Sequence, residues 1–127
     1  RMIKEFGMSG SPAQSFKALF LSLACRLSAS RVRDSGAVIA DRFYGICNSG
    51  RMTAERLRKI LTDLPEGSAE VMVHPGFVDE ELRNTTETMG TYYINRYREA
   101  ELRALTDPAL AALARRLGVR LINFHEL

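Results

Sequence analysis

The sequence predicts an α/β fold in which parallel strands alternate with helices, a partial, TIM-like (β/α) barrel amounting to about half of one. Three observations predict it. The run Ala69-Glu70-Val71-Met72-Val73-His74 is compact and β-rich, and it stops at Pro75-Gly76, as a buried parallel strand would. Leu57, Ile60, Leu61 and Leu64 recur at i, i+3, i+4 and i+7, the single apolar face of a helix. Further runs of both kinds alternate along the chain with short connections, which implies parallel pairing through right-handed crossovers.

Taken in order, Met2–Phe6 reads as a short strand stopped by Gly7. Ser11 and Pro12 then supply an N-cap and a first helical residue. Phe16, Leu19, Phe20, Leu23 and Leu27 recur at helical spacing, so a helix to about Val32 is expected to pack on the sheet. Gly36 ends it. Ala37–Ile46 is a strand with the polar pair Asp41-Arg42 at its mouth or at a kink, and Asn48-Ser49-Gly50 is a loop. Thr53 caps the next helix, which Pro65-Glu66-Gly67 breaks. After the Ala69–His74 strand, Phe77–Gly90 is polar, with a helical turn at Asp79–Arg83. A helix resumes near Thr91 with Tyr93, Tyr97 and Ala100 on one face. Asp107 and Pro108 start another, carrying Leu110, Leu113, Ala114 and Leu117 to a stop at Gly118. Val119–Phe124 is expected as a last strand.

A chain of 127 residues with 46% hydrophobic and 26% charged residues is ordinary globular material, and residues 1–127 read as one domain. Arginine dominates the 18 basic residues behind the formal net charge of +3. They are interleaved with acids, as in Glu55-Arg56-Leu57-Arg58, so the charge describes solvated helix faces and not a nucleic-acid stripe. Cys25 and Cys47 have no CxxC spacing and read as buried, reduced thiols of a cytoplasmic protein. The apolar run from Ala18 to Cys25 is far short of the ~20 residues of a membrane span, and no signal peptide is evident. Arg1-Met2 does not resemble the designed start of a domain, which suggests a portion of a longer chain.

His74-Pro75-Gly76 is the sharpest chemical signal. The C-terminal ends of parallel strands form the active face of α/β folds, and an imidazole there can donate or accept a proton near neutral pH. Pro75 and Gly76 would fix a sharp exit and let backbone approach a ligand. A histidine that merely satisfies backbone groups at a strand end fits the same residues. Asp41-Arg42, at another strand boundary, is the second candidate, set against an exposed turn pair; its two side chains point to opposite faces. Arg98, Glu99 and Glu101 read as a solvated or helix-pairing face. With only His74 and His125 as histidines, and no HxxxH, HExxH or DxD spacing, the chain assembles no metal site. GxGxxG, Walker and GxSxG patterns are absent from the sequence as well.

Asp41-Arg42-Phe43-x-Gly45, Ser49-Gly50-Arg51-Met52-Thr53 and Leu64-Pro65-x-Gly67-x-x-Glu70-Val71-Met72-x-His74-Pro75-Gly76 together resemble the C-terminal half of YdjC-like carbohydrate deacetylases. So do the run from Tyr97 to Pro108 and the closing Gly118–Phe124. The Asp41–Gly76 wording is most similar to the hopanoid biosynthesis-associated, HpnK-like branch. Ala100 departs from the arginine often found in that family's Arg-Glu-Arg-Glu-Leu run.

The resemblance implies a barrel-like fold and hydrolysis of the acetamide of N-acetylated sugars such as chitooligosaccharides. It implies a divalent ion, magnesium, held by an aspartate and two histidines of the N-terminal half, with none bound by the present chain. It casts His74 as the acid that assists departure of the amine, and Asp41, Pro75 and Gly76 as pocket residues. A chain of this extent is then expected to be inactive by itself. The alternative is a non-catalytic module that self-associates, since open strand edges favour a homodimer.

Overall fold

The computed structural model describes residues 2–3, 12–84 and 97–127. The end of the first expected strand (4–6), the Ser11 cap and the helix start at Thr91 and Tyr93 lie outside the described residues. The chain forms two compact units. One comprises Arg1–Ser49, Leu64–Met72 and Leu121–Leu127, the other Gly50–Asp63 and Val73–Arg120.

The first unit is built on a three-stranded sheet in the order β1 (Met2–Ile3), β2 (Arg42–Tyr44), β3 (Ala69–Val71). Both pairings are parallel, with Met2 opposite Arg42 and Arg42 opposite Ala69. The strands are shorter than the apolar runs that contain them. Gly45, at φ 112°, turns the chain away after Tyr44, and a bond from Met72 N to Tyr44 O at 2.9 Å extends the β2–β3 ladder to that point. The strand expected to reach His74 therefore stops at Val71.

Helices α1 (Pro12–Leu27) and α2 (Ala29–Asp34) replace the single helix expected there. The interruption at Ser28 is slight, because Ser28 N donates to Ala24 O and Val32 N to Ser28 O, both at 3.0 Å. Phe43 and Cys47 form the buried cluster of this unit, packed by Leu21, Ile46 and Met72. The residue of α1 that reaches it is Leu21, not the expected stripe. Phe16 and Leu27 are 73% and 75% exposed, and Leu19, Phe20 and Leu23 are exposed between them. Cys47 is buried as expected; Cys25 is only partly so, and both are free thiols.

The second unit is helical. Its α3 (Ala54–Thr62) packs against α5 (Tyr97–Leu105) and α6 (Pro108–Arg116), while the short α4 (Glu80–Asn84) follows the His74 segment. Leu57 and Ile60 of α3, Ala104 of α5, and Leu110 and Ala114 of α6 are buried. The caps are those the sequence foretold. Thr53 Oγ1 accepts from Arg56 N at 3.5 Å, and Asp107 Oδ1 accepts from Ala109 N at 2.9 Å. Arg58 also reaches Asp107 Oδ2 at 3.0 Å, a solvent-screened pair of little weight.

Val119–Phe124 is not a strand. Leu121 is 83% exposed, and no described strand lies beside the segment to pair with it. Phe124–Glu126 instead forms a 3-10 turn. Asn123 Oδ1 accepts from His125 N at 2.8 Å, and Glu126 Oε2 accepts from Asn123 N at 3.0 Å. Apolar alternation without a neighbouring edge cannot make a ladder. Among the described residues, no helix is long and apolar enough to cross a membrane.

Candidate functional site

His74 lies three residues beyond the C-terminal end of β3, in the stretch of the second unit that begins at Val73. That segment is held by α5. Three alternate amides face the helix: His74 N donates to Glu101 Oε2 at 2.5 Å, Gly76 N to Arg98 O at 3.3 Å, and Val78 N to Glu99 Oε1 at 3.2 Å. The spacing of two is that of an extended chain, whose successive N–H groups point to opposite sides. The beginning of α5 thus bonds along one edge of His74–Val78.

Gly76 lies close against α5. A Cβ there would come within 3.1 Å of Arg98 Nη2 and 3.2 Å of Nε. Gly76 thus packs closely on a guanidinium of its own chain.

Glu101 is 0% exposed. Besides the amide of His74, its carboxylate accepts from Met52 N at 2.8 Å, through Oε1. Met52 is itself 0% exposed, in the turn before α3. A buried carboxylate is stable only when its lone pairs are met, and hydrogen bonds to an ionised acceptor are the strong ones. Either amide, deprived of its acceptor, would cost about 1–3 kcal/mol. Glu101 thereby joins three stretches far apart in sequence: Gly50–Thr53, His74–Gly76 and the start of α5. Arg51, beside Met52, lies 5.5 Å from the centroid of the Tyr97 ring, and its carbonyl accepts from Arg56 Nη1 at 2.6 Å.

Of the solvated or helix-pairing face expected at Arg98, Glu99 and Glu101, the solvated reading is thus corrected at Glu101. Its position could have given it away. Glu101 stands four residues after Tyr97 and three before Ala104, on the apolar stripe of the helix, where an acid needs buried donors.

Asp41 has a different setting, at the entry to β2 in the first unit. Its Oδ2 accepts from Ser68 N and from Ser68 Oγ, both at 2.9 Å, and Asp41 N donates to the same Oγ at 3.0 Å. Arg42 Nη1 donates to Glu66 O at 2.8 Å. The pair therefore ties the N-terminal end of β2 to the chain just before β3, and so helps set their register.

The backbone amide of Ser68 first, then its hydroxyl and the Arg42 charge, hold the Asp41 carboxyl below its ordinary 3.8, against a small opposing effect of burial. A depressed folded value means stability that is present above 3.8 and lost as pH falls through the folded pKa. We therefore expect wild-type melting temperatures to fall more steeply on acidification below about pH 4 than those of Asp41→Asn. Parallel slopes in thermal melts would remove this role from Asp41.

Among the described residues no three His, Cys, Asp or Glu side chains gather to hold a metal ion. His74 belongs to the second unit and His125 to the first. These residues gather no ligand set of their own for the divalent ion that the sequence resemblance implies.

The family described as YdjC-like protein matches residues 4–116. A curated carbohydrate deacetylase of Thermoanaerobacter pseudethanolicus is 31% identical over 101 residues. The match covers 80% of this chain and 38% of that protein's length. The chain thus spans well under two thirds of this relative. No solved structure matches it.

Proposed function

Because the chain belongs to the YdjC-like family, we propose that the intact protein carrying it is a carbohydrate N-deacetylase, built on a (β/α) barrel to which these residues contribute. The reaction adds water across the acetamide of an N-acetylated sugar, breaks the C–N bond and yields acetate and a free amine. His74 is the proton donor: the imidazolium proton passes to the departing nitrogen, which is otherwise too basic to leave. The observation that carries this reading is the fixed backbone of His74, just past the C-terminal end of a parallel strand in a chain of this family. Pro75 and Gly76 shape the same exit, while the substrate-side role of Asp41 is secondary to its bonds with Ser68.

The test is direct. Incubated with diacetylchitobiose and a divalent ion, the intact protein releases acetate and free amine in equal amounts. The 127-residue chain by itself releases none, because its described residues gather no ion site. An intact protein that yields no acetate from any N-acetylated sugar would sink the assignment.

The exposed face of α1 supports a second reading. Phe16, Phe20, Leu23 and Leu27 follow spacings of four, three and four along the helix, and all are exposed. That is the seam of a helix pair, and an apolar stripe of this length seeks a cover. The chain alone should therefore behave as a homodimer at micromolar concentration in light scattering. Phe20→Glu should return it to monomer. A monomeric wild-type mass contradicts this reading.

A further inference from the structure

Glu101 has no part in the chemistry just proposed, yet it is the fully buried acid on which the His74 backbone depends. We infer that Glu101 is a positioning residue: its carboxylate, shared between the amides of His74 and Met52, sets the place from which the His74 imidazole acts. The inference rests on the deacetylase reading for its catalytic consequence, but not for its geometry.

Three features argue it. The two oxygens are divided between the two amides, Oε1 to Met52 and Oε2 to His74, so neither can be lost without freeing one stretch of backbone. The His74 amide lies beyond the described β2–β3 pairing, and it is the side chain of Glu101 on the helix that meets it. The bonds of Gly76 to Arg98 O and of Val78 to Glu99 Oε1 hold only the residues that follow. At His74 itself the backbone amide bonds to Glu101. A backbone displaced by an ångström carries the ring with it, and misplacement on that scale can cost orders of magnitude in rate.

The experiment compares wild type with Glu101→Gln in the intact protein. Gln keeps the shape and one carbonyl oxygen, but turns an NH2 group toward one of the two amides. The expected result is amide exchange at His74, Met52 or both at least ~10-fold faster, with Ala104 and Leu110 unchanged. Turnover on diacetylchitobiose falls ~10-fold or more, with KM held within about twofold. Glu101→Asp, which keeps the charge but shortens the reach, gives a smaller exchange change at whichever amide it still meets.

Unchanged exchange at both amides overturns the inference, as does a rise in KM with turnover intact. If the Gln variant does not fold, the wild-type protein still decides: an unprotected His74 amide overturns it, and a protected one supports it. If exchange responds as expected while wild type releases no acetate, the positioning by Glu101 stands and the deacetylase reading falls.

Discussion

On the proposed reading, His74→Ala is expected to lower acetate release from diacetylchitobiose by at least ~10²-fold in the intact protein, the scale of a lost general acid. The effect falls on turnover, because the amide that anchors residue 74 to Glu101 belongs to the backbone and survives the substitution. Circular dichroism and melting temperature should move little, since His74 is only partly buried. The amount of bound divalent ion should not change if His74 delivers a proton and does not ligate the ion. Loss of the ion with the imidazole would make residue 74 a ligand and the assigned role wrong. A loss of turnover below about threefold would leave His74 with a structural part only.

Gly45→Ala is the second large effect, and it acts on the scaffold. Gly45 sits at φ 112°, and a Cβ there would stand 2.5 Å from Met72 O and 2.9 Å from Met72 Cβ. The first obstacle is backbone at the end of the β2–β3 ladder and cannot swing aside. The left-handed backbone alone costs an L-residue about 1–3 kcal/mol, and relief of the overlap requires parting Met72 N from Tyr44 O. A total of at least about 3 kcal/mol is expected, in the range reserved for backbone strain and broken cores. The readout is the Cys47 thiol, buried against Phe43 in wild type. In the variant it should react with a thiol reagent nearly as fast as the partly exposed Cys25. A Cys47 still shielded, with an unchanged denaturation midpoint, would mean that the β2 exit yields at little cost.

The legible parts of this chain were those governed by local chemistry. Thr53 and Asp107 were readable as caps because the bond each makes is to an amide two or three residues on. The face of α3 was readable because Leu57 and Ile60 are buried on the spacing of a helix. Parallel pairing followed from strands separated by helices. Partnership at long range was not legible. Val119–Phe124 has the composition of a strand, but no described strand pairs with it. The stripe on α1 has the spacing of a buried face, yet Leu21, on another side, is what meets Phe43 and Cys47. At the site, His74-Pro75-Gly76 drew attention by residue type. Glu101 did not, because its role rests on amides 27 and 49 residues away.

The most direct test of the whole account sets two bonds against each other at the same carbon of the same sugar, the natural acetamide and the corresponding acetate ester. An alkoxide departs without first gaining a full proton, whereas an amide nitrogen cannot. If His74 delivers that proton, His74→Ala should depress hydrolysis of the amide by ~10²-fold or more and that of the ester by less than ~10-fold. Equal losses on both substrates would contradict it, and the imidazole would have to serve some step that precedes the departure of the leaving group.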